Sequence, residues 1–151
     1  MEIEQYAIAL IDTVEFQRLR RLKQNGNALM VYPSDTHTRF EHCIGVYHLT
    51  DAILKQLRKE LEQRPEWFQR PGTWEYYLKA ERLVKVAALL HDIGHGPFSH
   101  LFERTLSQID LTDTDIPNNH EQIGCLIVRH MLLQQHYSED DIYIVQQLIC
   151  G

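Results

Sequence analysis

The stretch from Ala87 to His100, reading Ala-Ala-Leu-Leu-His-Asp-Ile-Gly-His-Gly-Pro-Phe-Ser-His, constrains this chain more than any other. Its front half is the apolar end of a helix. Its back half, with Gly94, Gly96 and Pro97, cannot continue one. The backbone must therefore turn where His91, Asp92, His95 and His100 are crowded together. Adjacent helical residues diverge by about 100°, so His91 and Asp92 can serve one site only where the last turn loosens. Together they offer nitrogen and oxygen ligands, a donor set suited to Mn, Fe, Zn or Mg and not to a thiolate site. An isolated His-Asp pair is more often a helix C-cap and a turn residue. The additional histidines shift the reading to a metal site.

The rest of the chain reads as all-α. Asp12-Thr13 can cap a short helix in which Phe16, Leu19 and Leu22 recur every three residues, with Gln17, Arg18, Arg20 and Arg21 on the opposite face. Residues 29–33 read as an extended connector. A second helix is expected from after Thr36 to about 63, with Phe40, Ile44, Tyr47, Ile53, Leu54, Leu57 and Leu61 as its apolar stripe. Residues 64–73, with Pro65, Pro71 and Gly72, read as a loop. A third helix follows over about 74–91, with Leu83, Val86, Ala87 and Leu90 facing inward, then a short one over 98–106. A polar, acidic loop runs through Pro117. Asn118-Asn119 can cap a helix over 120–136, and Ser138 caps the last, over about 139–149. Its stripe of Ile142, Val145, Leu148 and Ile149 has no downstream partner, so a fragment, or a short relative of something longer, is expected.

At 151 residues the chain has the size of one domain. No apolar run reaches the ~20 residues of a membrane span, and the N-terminus has no signal-peptide layout. A net charge of −6 argues against a surface for non-specific nucleic-acid binding. An anionic substrate remains compatible, because a divalent ion and a few arginines make a positive pocket locally. Cys43, Cys125 and Cys150 contain no C-x-x-C pair and read as reduced thiols in a cytoplasmic protein, with the nucleus as the other compartment.

Arg39-Phe40-Glu41-His42 opens the second helix, and Arg39 and His42, three apart, share a face. Where that face meets the end of the third helix, His42 joins His91 and Asp92 as a two-histidine, one-carboxylate set with open positions for water and substrate. Glu41 reads as a solvated helix charge, or as a group orienting an imidazole if the helix turns it inward.

His42 followed some fifty residues later by His91-Asp92 resembles the HD-domain metal phosphohydrolases. The likeness narrows to the deoxynucleoside triphosphate triphosphohydrolase branch, which includes the animal enzyme with a sterile-alpha-motif domain and its bacterial relatives. It runs in order through residues 11–20 (Ile-Asp-Thr-Val-Glu-Phe-Gln-Arg-Leu-Arg), Lys23-Gln24, Tyr32-Pro33, Thr38 to His42, His91 to His100, and Asn119-His120-Glu121-Gln122. This resemblance implies an HD-domain helical bundle over 1–151, incomplete before the last metal ligand. It implies His42, His91 and Asp92 as metal ligands, Arg39 as a phosphate contact, and Gln24, with Asn25 beside it, against the sugar. His100 matches the general acid, His95 a residue beside the phosphates, and His120 with Glu103 a supporting pair. The implied reaction is hydrolysis of a deoxynucleoside triphosphate to deoxynucleoside and tripolyphosphate. Asp12, Gln17 and Arg20 match residues that read a GTP or dGTP effector at a subunit interface, which implies a homo-oligomer for the full-length protein.

The chain departs from the pattern in three places. The family's fourth metal ligand is an aspartate on a later helix, and Asp140 and Asp141, in the first turn of the last helix, are poor substitutes. Asn25 stands where a leucine is usual, and Glu103 where an aspartate is common. Two other readings stay open: another HD-family nucleotidase or phosphodiesterase, and a non-catalytic nucleotide-binding module.

Overall fold

A computed structural model describes residues 3–64, 66, 71–108, 117 and 119–151, apart from the side chain of His100. Among them are seven α-helices and no strand, the all-α class expected, with the first helix, Gln5–Ile11, in addition to those read from the sequence. They are α1 (Gln5–Ile11), α2 (Val14–Gln17), α3 (Arg39–Glu62), α4 (Thr73–Leu90), α5 (His100–Leu106), α6 (His120–Gln134) and α7 (Glu139–Cys150). The core runs between α3, α4, α6 and α7, with the α1–α2 segment closing one side. Tyr47, Leu89, Leu90, Ile93, Val128, Met131 and Ile142 are all fully buried there. Among the described residues no helix is long and apolar enough to cross a membrane.

Local chemistry sets most helix ends. Thr13 caps α2, its hydroxyl accepting from the Phe16 N–H, and Asn119 and Ser138 do the same for α6 and α7. α3 begins two residues later than the periodicity suggests, because Thr38 and Glu41 form a reciprocal capping box. The Thr38 N–H donates to Glu41 Oε2 at 2.6 Å, so Glu41 is an exposed cap and orients no imidazole.

Several expectations are corrected. Residues 29–33 are not an extended connector: a 3-10 turn spans Gly26–Met30, closed by Ala28 N–H to Asn25 O at 3.0 Å. Ile53 and Leu57 leave the apolar stripe of α3 and are exposed at 69% and 41%, since Ile53 lies about 240° around the helix from Tyr47. In α7, Ile142 and Val145 are buried against the upstream helices α4 and α6, while Leu148 of the same stripe stays exposed. Cys125 and Cys150 are not reduced thiols but a disulfide joining α6 to α7, while Cys43 is a free buried thiol as expected. Asn118, half of the 64–73 loop and the acidic 109–116 segment lie outside the described residues.

A buried ion network ties α1 to the α3–α4 pair. Lys85 Nζ lies 2.6 Å from Glu4, 3.3 Å from Asp51 and 3.4 Å from Glu81, and Glu81 also pairs with Arg58. Desolvation offsets much of the Coulombic gain in such networks. Its consequence is register: Glu4, at the start of α1, is held against Lys85 of α4.

Candidate active site

α4 runs apolar and buried to Leu90, then the chain turns through 91–94 and carries Asp92, Ile93, Gly94 and His95 into the interior. Gly94 is required there by space. A Cβ on it would sit 1.9 Å from the His120 carbonyl oxygen and 2.4 Å from the Gly124 nitrogen, so the turn lies directly on the first turn of α6. Opposite, an isolated antiparallel bridge between Lys23 and Thr38 fixes the entry to α3, with Gln24 N–H donating to His37 O and Arg39 N–H to Leu22 O. Gln24, Arg39 and His42 are thereby brought over the end of α4.

His42, His91 and Asp92 converge. His42 Nε2 is 3.2 Å from His91 Nε2 and 3.7 Å from Asp92 Oδ2, and His91 Nε2 is 3.5 Å from Asp92 Oδ1. Ligands held about 2.1 Å from one ion lie about 3.0 Å apart at right angles and about 3.4 Å apart in a tetrahedron. The three groups fit that spacing and could hold a divalent ion. His91 Nδ1 is 2.9 Å from the Ala88 carbonyl, which can only accept, so Nδ1 carries the proton and Nε2 offers its lone pair to the site. Cys43 lies close behind, but burial and the Asp92 charge push its thiol up to about 12, so it offers no thiolate.

Beside this set opens a cleft of about 750 Å³, lined among others by Gln24, Asn25, Arg39, Asp92, His95, Ser99 and His120. Gln24 Oε1 is buried there with no hydrogen-bond partner among the described residues. A buried amide oxygen left in this state suits a ligand hydroxyl. Arg39 is buried, its Nη1 donating to Asp92 Oδ2 at 2.5 Å and its Nη2 to Ser99 Oγ at 2.8 Å. Ser99 and Phe98 both have positive φ (53° and 61°), a conformation non-glycine residues adopt at a cost of about 1–3 kcal/mol and mostly at functional sites.

A second cluster lines the far wall. The His120 Nδ1–H donates to Glu103 Oε1 at 2.7 Å, and the rings of His95 and His120 stack with centroids 3.9 Å apart. His120 therefore presents Nε2 away from Glu103, and the longer arm of Glu103 still reaches. The side chain of His100, expected as the general acid, lies outside the described residues.

Asp12, Gln17 and Arg20 lie away from the cleft. Arg20 Nε donates to Gln17 Oε1 at 2.7 Å, and its guanidinium sits 3.6 Å from the Phe40 ring centroid. Arg18 is not part of an exposed basic face with them. It turns inward and donates to the carbonyls of Ile93 and His95, the latter at 2.7 Å. Sequence reasoning missed Arg18, Ser99 and the buried contact of Gly94. Arg18 stands in a run of cations in the sequence, and its acceptors lie 75 and 77 residues further on, where only the tertiary structure places them.

Burial dominates the electrostatics, with different outcomes. His42 is held below the usual imidazole range by burial, with Asp92 opposing and His91 and Arg39 reinforcing. His95 is likewise lowered by burial, opposed by its hydrogen bond to Asp92. For Asp92 burial acts to raise the pKa, but the hydrogen bond with His95 and the charges of His91 and Arg39 outweigh it, leaving it well below the carboxylate range. As pH falls through about 6.5, the unfolded chain takes up protons that the folded His42 and His95 refuse, so metal-free protein loses stability on acidification. The Asp92 contribution is full above about pH 4 and is lost below it. An NMR titration of metal-free protein should place His42 and His95 below 6.5. A midpoint at or above 6.5 for either contradicts this electrostatic picture.

The sequence pattern of the HD domain matches residues 39–150. A mimivirus protein described as a putative HD domain-containing protein, L394, is 38% identical over 93% of this chain and 30% of its own length. The Dictyostelium discoideum deoxynucleoside triphosphate triphosphohydrolase SAMHD1 homolog is 36% identical over the whole chain and 27% of that protein. The Homo sapiens deoxynucleoside triphosphate triphosphohydrolase SAMHD1 is 32% identical over the whole chain and 24% of that protein. The chain thus spans about a quarter to a third of the length of these relatives.

Proposed function

This chain belongs to the HD domain family, and from that premise we propose that it provides the metal and phosphate half of a phosphohydrolase that cleaves deoxynucleoside triphosphates to deoxynucleoside and tripolyphosphate. The observation that carries this reading is the convergence of His42, His91 and Asp92 beside a cleft whose other wall holds the His120–Glu103 pair. A bound divalent ion supplies a water of pKa near 7 at such a site.

The remaining roles belong to the chain's own residues. Gln24 offers its buried amide oxygen to the sugar, with Asn25 at the rim. Arg39 presents a guanidinium fork that can trade its contact with Asp92 or Ser99 for a phosphate oxygen. Glu103 fixes the tautomer of His120, so that Nε2 of His120, stacked on His95, can pass a proton within the cleft. His100, by its place in the motif, protonates the departing 5′ oxygen. Asp12, Gln17 and Arg20 form a separate face to which the family resemblance assigns a guanine nucleotide effector and contact with a second subunit. The names of the SAMHD1 relatives support the substrate class.

Product analysis tests this. From a full-length version of the protein, with manganese and a deoxynucleoside triphosphate, the expected products are deoxynucleoside and intact tripolyphosphate. Pyrophosphate or orthophosphate would assign the site to another HD-family reaction. Nucleotide-dependent thermal stabilisation without turnover at any metal concentration would make it a binding module.

A further inference from the structure

The turn that carries Asp92 and His95 has little helical hydrogen bonding of its own. α4 ends at Leu90, and the turn beyond it lacks a helical ladder of its own. Two of the turn's carbonyls, Ile93 O and His95 O, accept from the two terminal nitrogens of a single side chain, Arg18, 75 and 77 residues earlier in the chain. These carbonyls flank Gly94, whose other side is pressed against the backbone of α6. The turn is thus clamped between a guanidinium fork and the His120–Gly124 backbone. Its two held peptide groups lie immediately after Asp92 and at His95.

We propose that Arg18 is a positioning residue for the metal turn: by holding the Ile93 and His95 carbonyls it sets the direction of the Asp92 and His95 side chains. This rests on the reading of His42, His91 and Asp92 as metal ligands, but the clamp can be tested apart from it. A planar fork is needed, because a lysine ammonium is a point charge that satisfies one carbonyl well and cannot span both rigidly. Arg18 thereby acts on the ligands through the backbone, without touching the ion or the substrate.

The test compares Arg18→Lys and Arg18→Ala with the unaltered chain by manganese affinity and by the NMR signals of the His95 imidazole in metal-free protein. Arg18→Lys keeps the charge and protects the fold if Arg18→Ala does not survive. Both variants are expected to weaken manganese binding about 10-fold or more, in line with other groups that orient ligands, and to shift the His95 signals while those of exposed His130 stay fixed. Thermal stability lowered in both, with manganese affinity and the His95 signals unchanged, would make Arg18 a purely structural residue and overturn the proposal. If the unaltered chain takes up no manganese yet His95 still shifts in Arg18→Lys, the clamp stands and the metal reading fails.

Discussion

Replacing Asp92 with alanine is expected to destabilise the metal-free protein by about 3 kcal/mol, an effect seldom seen for one carboxylate at the edge of a cleft. The reason is what it leaves behind. The Arg39 side chain is only 4% exposed and donates to Asp92 Oδ2 at 2.5 Å. Removing the carboxylate strands a guanidinium whose remaining acceptors are Ser99 Oγ and, at 3.4 Å, the Gln24 carbonyl. Breaking one side of a buried pair costs about 3–5 kcal/mol, and the open cleft places this case at the lower end. For a chain of this length the fall corresponds to a Tm lower by about 6–12 °C. Asp92→Asn keeps an acceptor oxygen and the volume, so it should lose distinctly less. Urea denaturation of both variants in a chelator separates the two. Equal stability of Asp92→Ala and the parent would mean that Arg39 does not depend on this partner.

Gly94→Ala is expected to be as damaging by a different route. The added Cβ meets only backbone: the His120 oxygen at 1.9 Å, the Gly124 nitrogen at 2.4 Å and the Gly124 Cα at 2.7 Å. No rotamer change relieves such a clash, so the turn and the start of α6 must separate by an ångström or so. Overpacking at a site of this rigidity costs about 3 kcal/mol. The separation also pulls His120 away from His95, so their ring-stacking signature in NMR should disappear. Gly124→Ala is the control. Its Cβ would lie 3.4 Å from Gly94 N, close to ordinary contact, and it should cost less than about 1 kcal/mol. Comparable thermal stability for Gly94→Ala and Gly124→Ala would show that the turn does not rest on α6.

What the sequence disclosed follows the reach of local rules. Caps at Thr13, Asn119 and Ser138 and the buried face of α4 are local or periodic, and all were legible. Helical spacing made the meeting of His42 with His91 and Asp92 conditional on one face of the second helix reaching the end of the third, and it was the family resemblance that grouped the three residues. Three features were out of reach for one reason: each depends on where another segment lies. Arg18 reads as a surface cation until the fold brings a carbonyl pair, 75 and 77 residues away, within its reach. Gly94 reads as a helix breaker, while its tightest constraint is the α6 backbone. Cys125 and Cys150 show no paired spacing, and only the antiparallel docking of α6 and α7 joins them. The 3-10 turn Gly26–Met30 was misread because the short apolar run beside it carries no periodicity to tell a connector from a turn.

The account stands or falls on the metal site, and elemental analysis of the purified protein beside Asp92→Ala and His91→Ala tests it most directly. One equivalent of a divalent transition metal in the parent, absent from both variants under the same loading, is the predicted result. An empty parent after manganese loading, or metal retained equally in His91→Ala, would contradict the assignment of His42, His91 and Asp92 as its ligands.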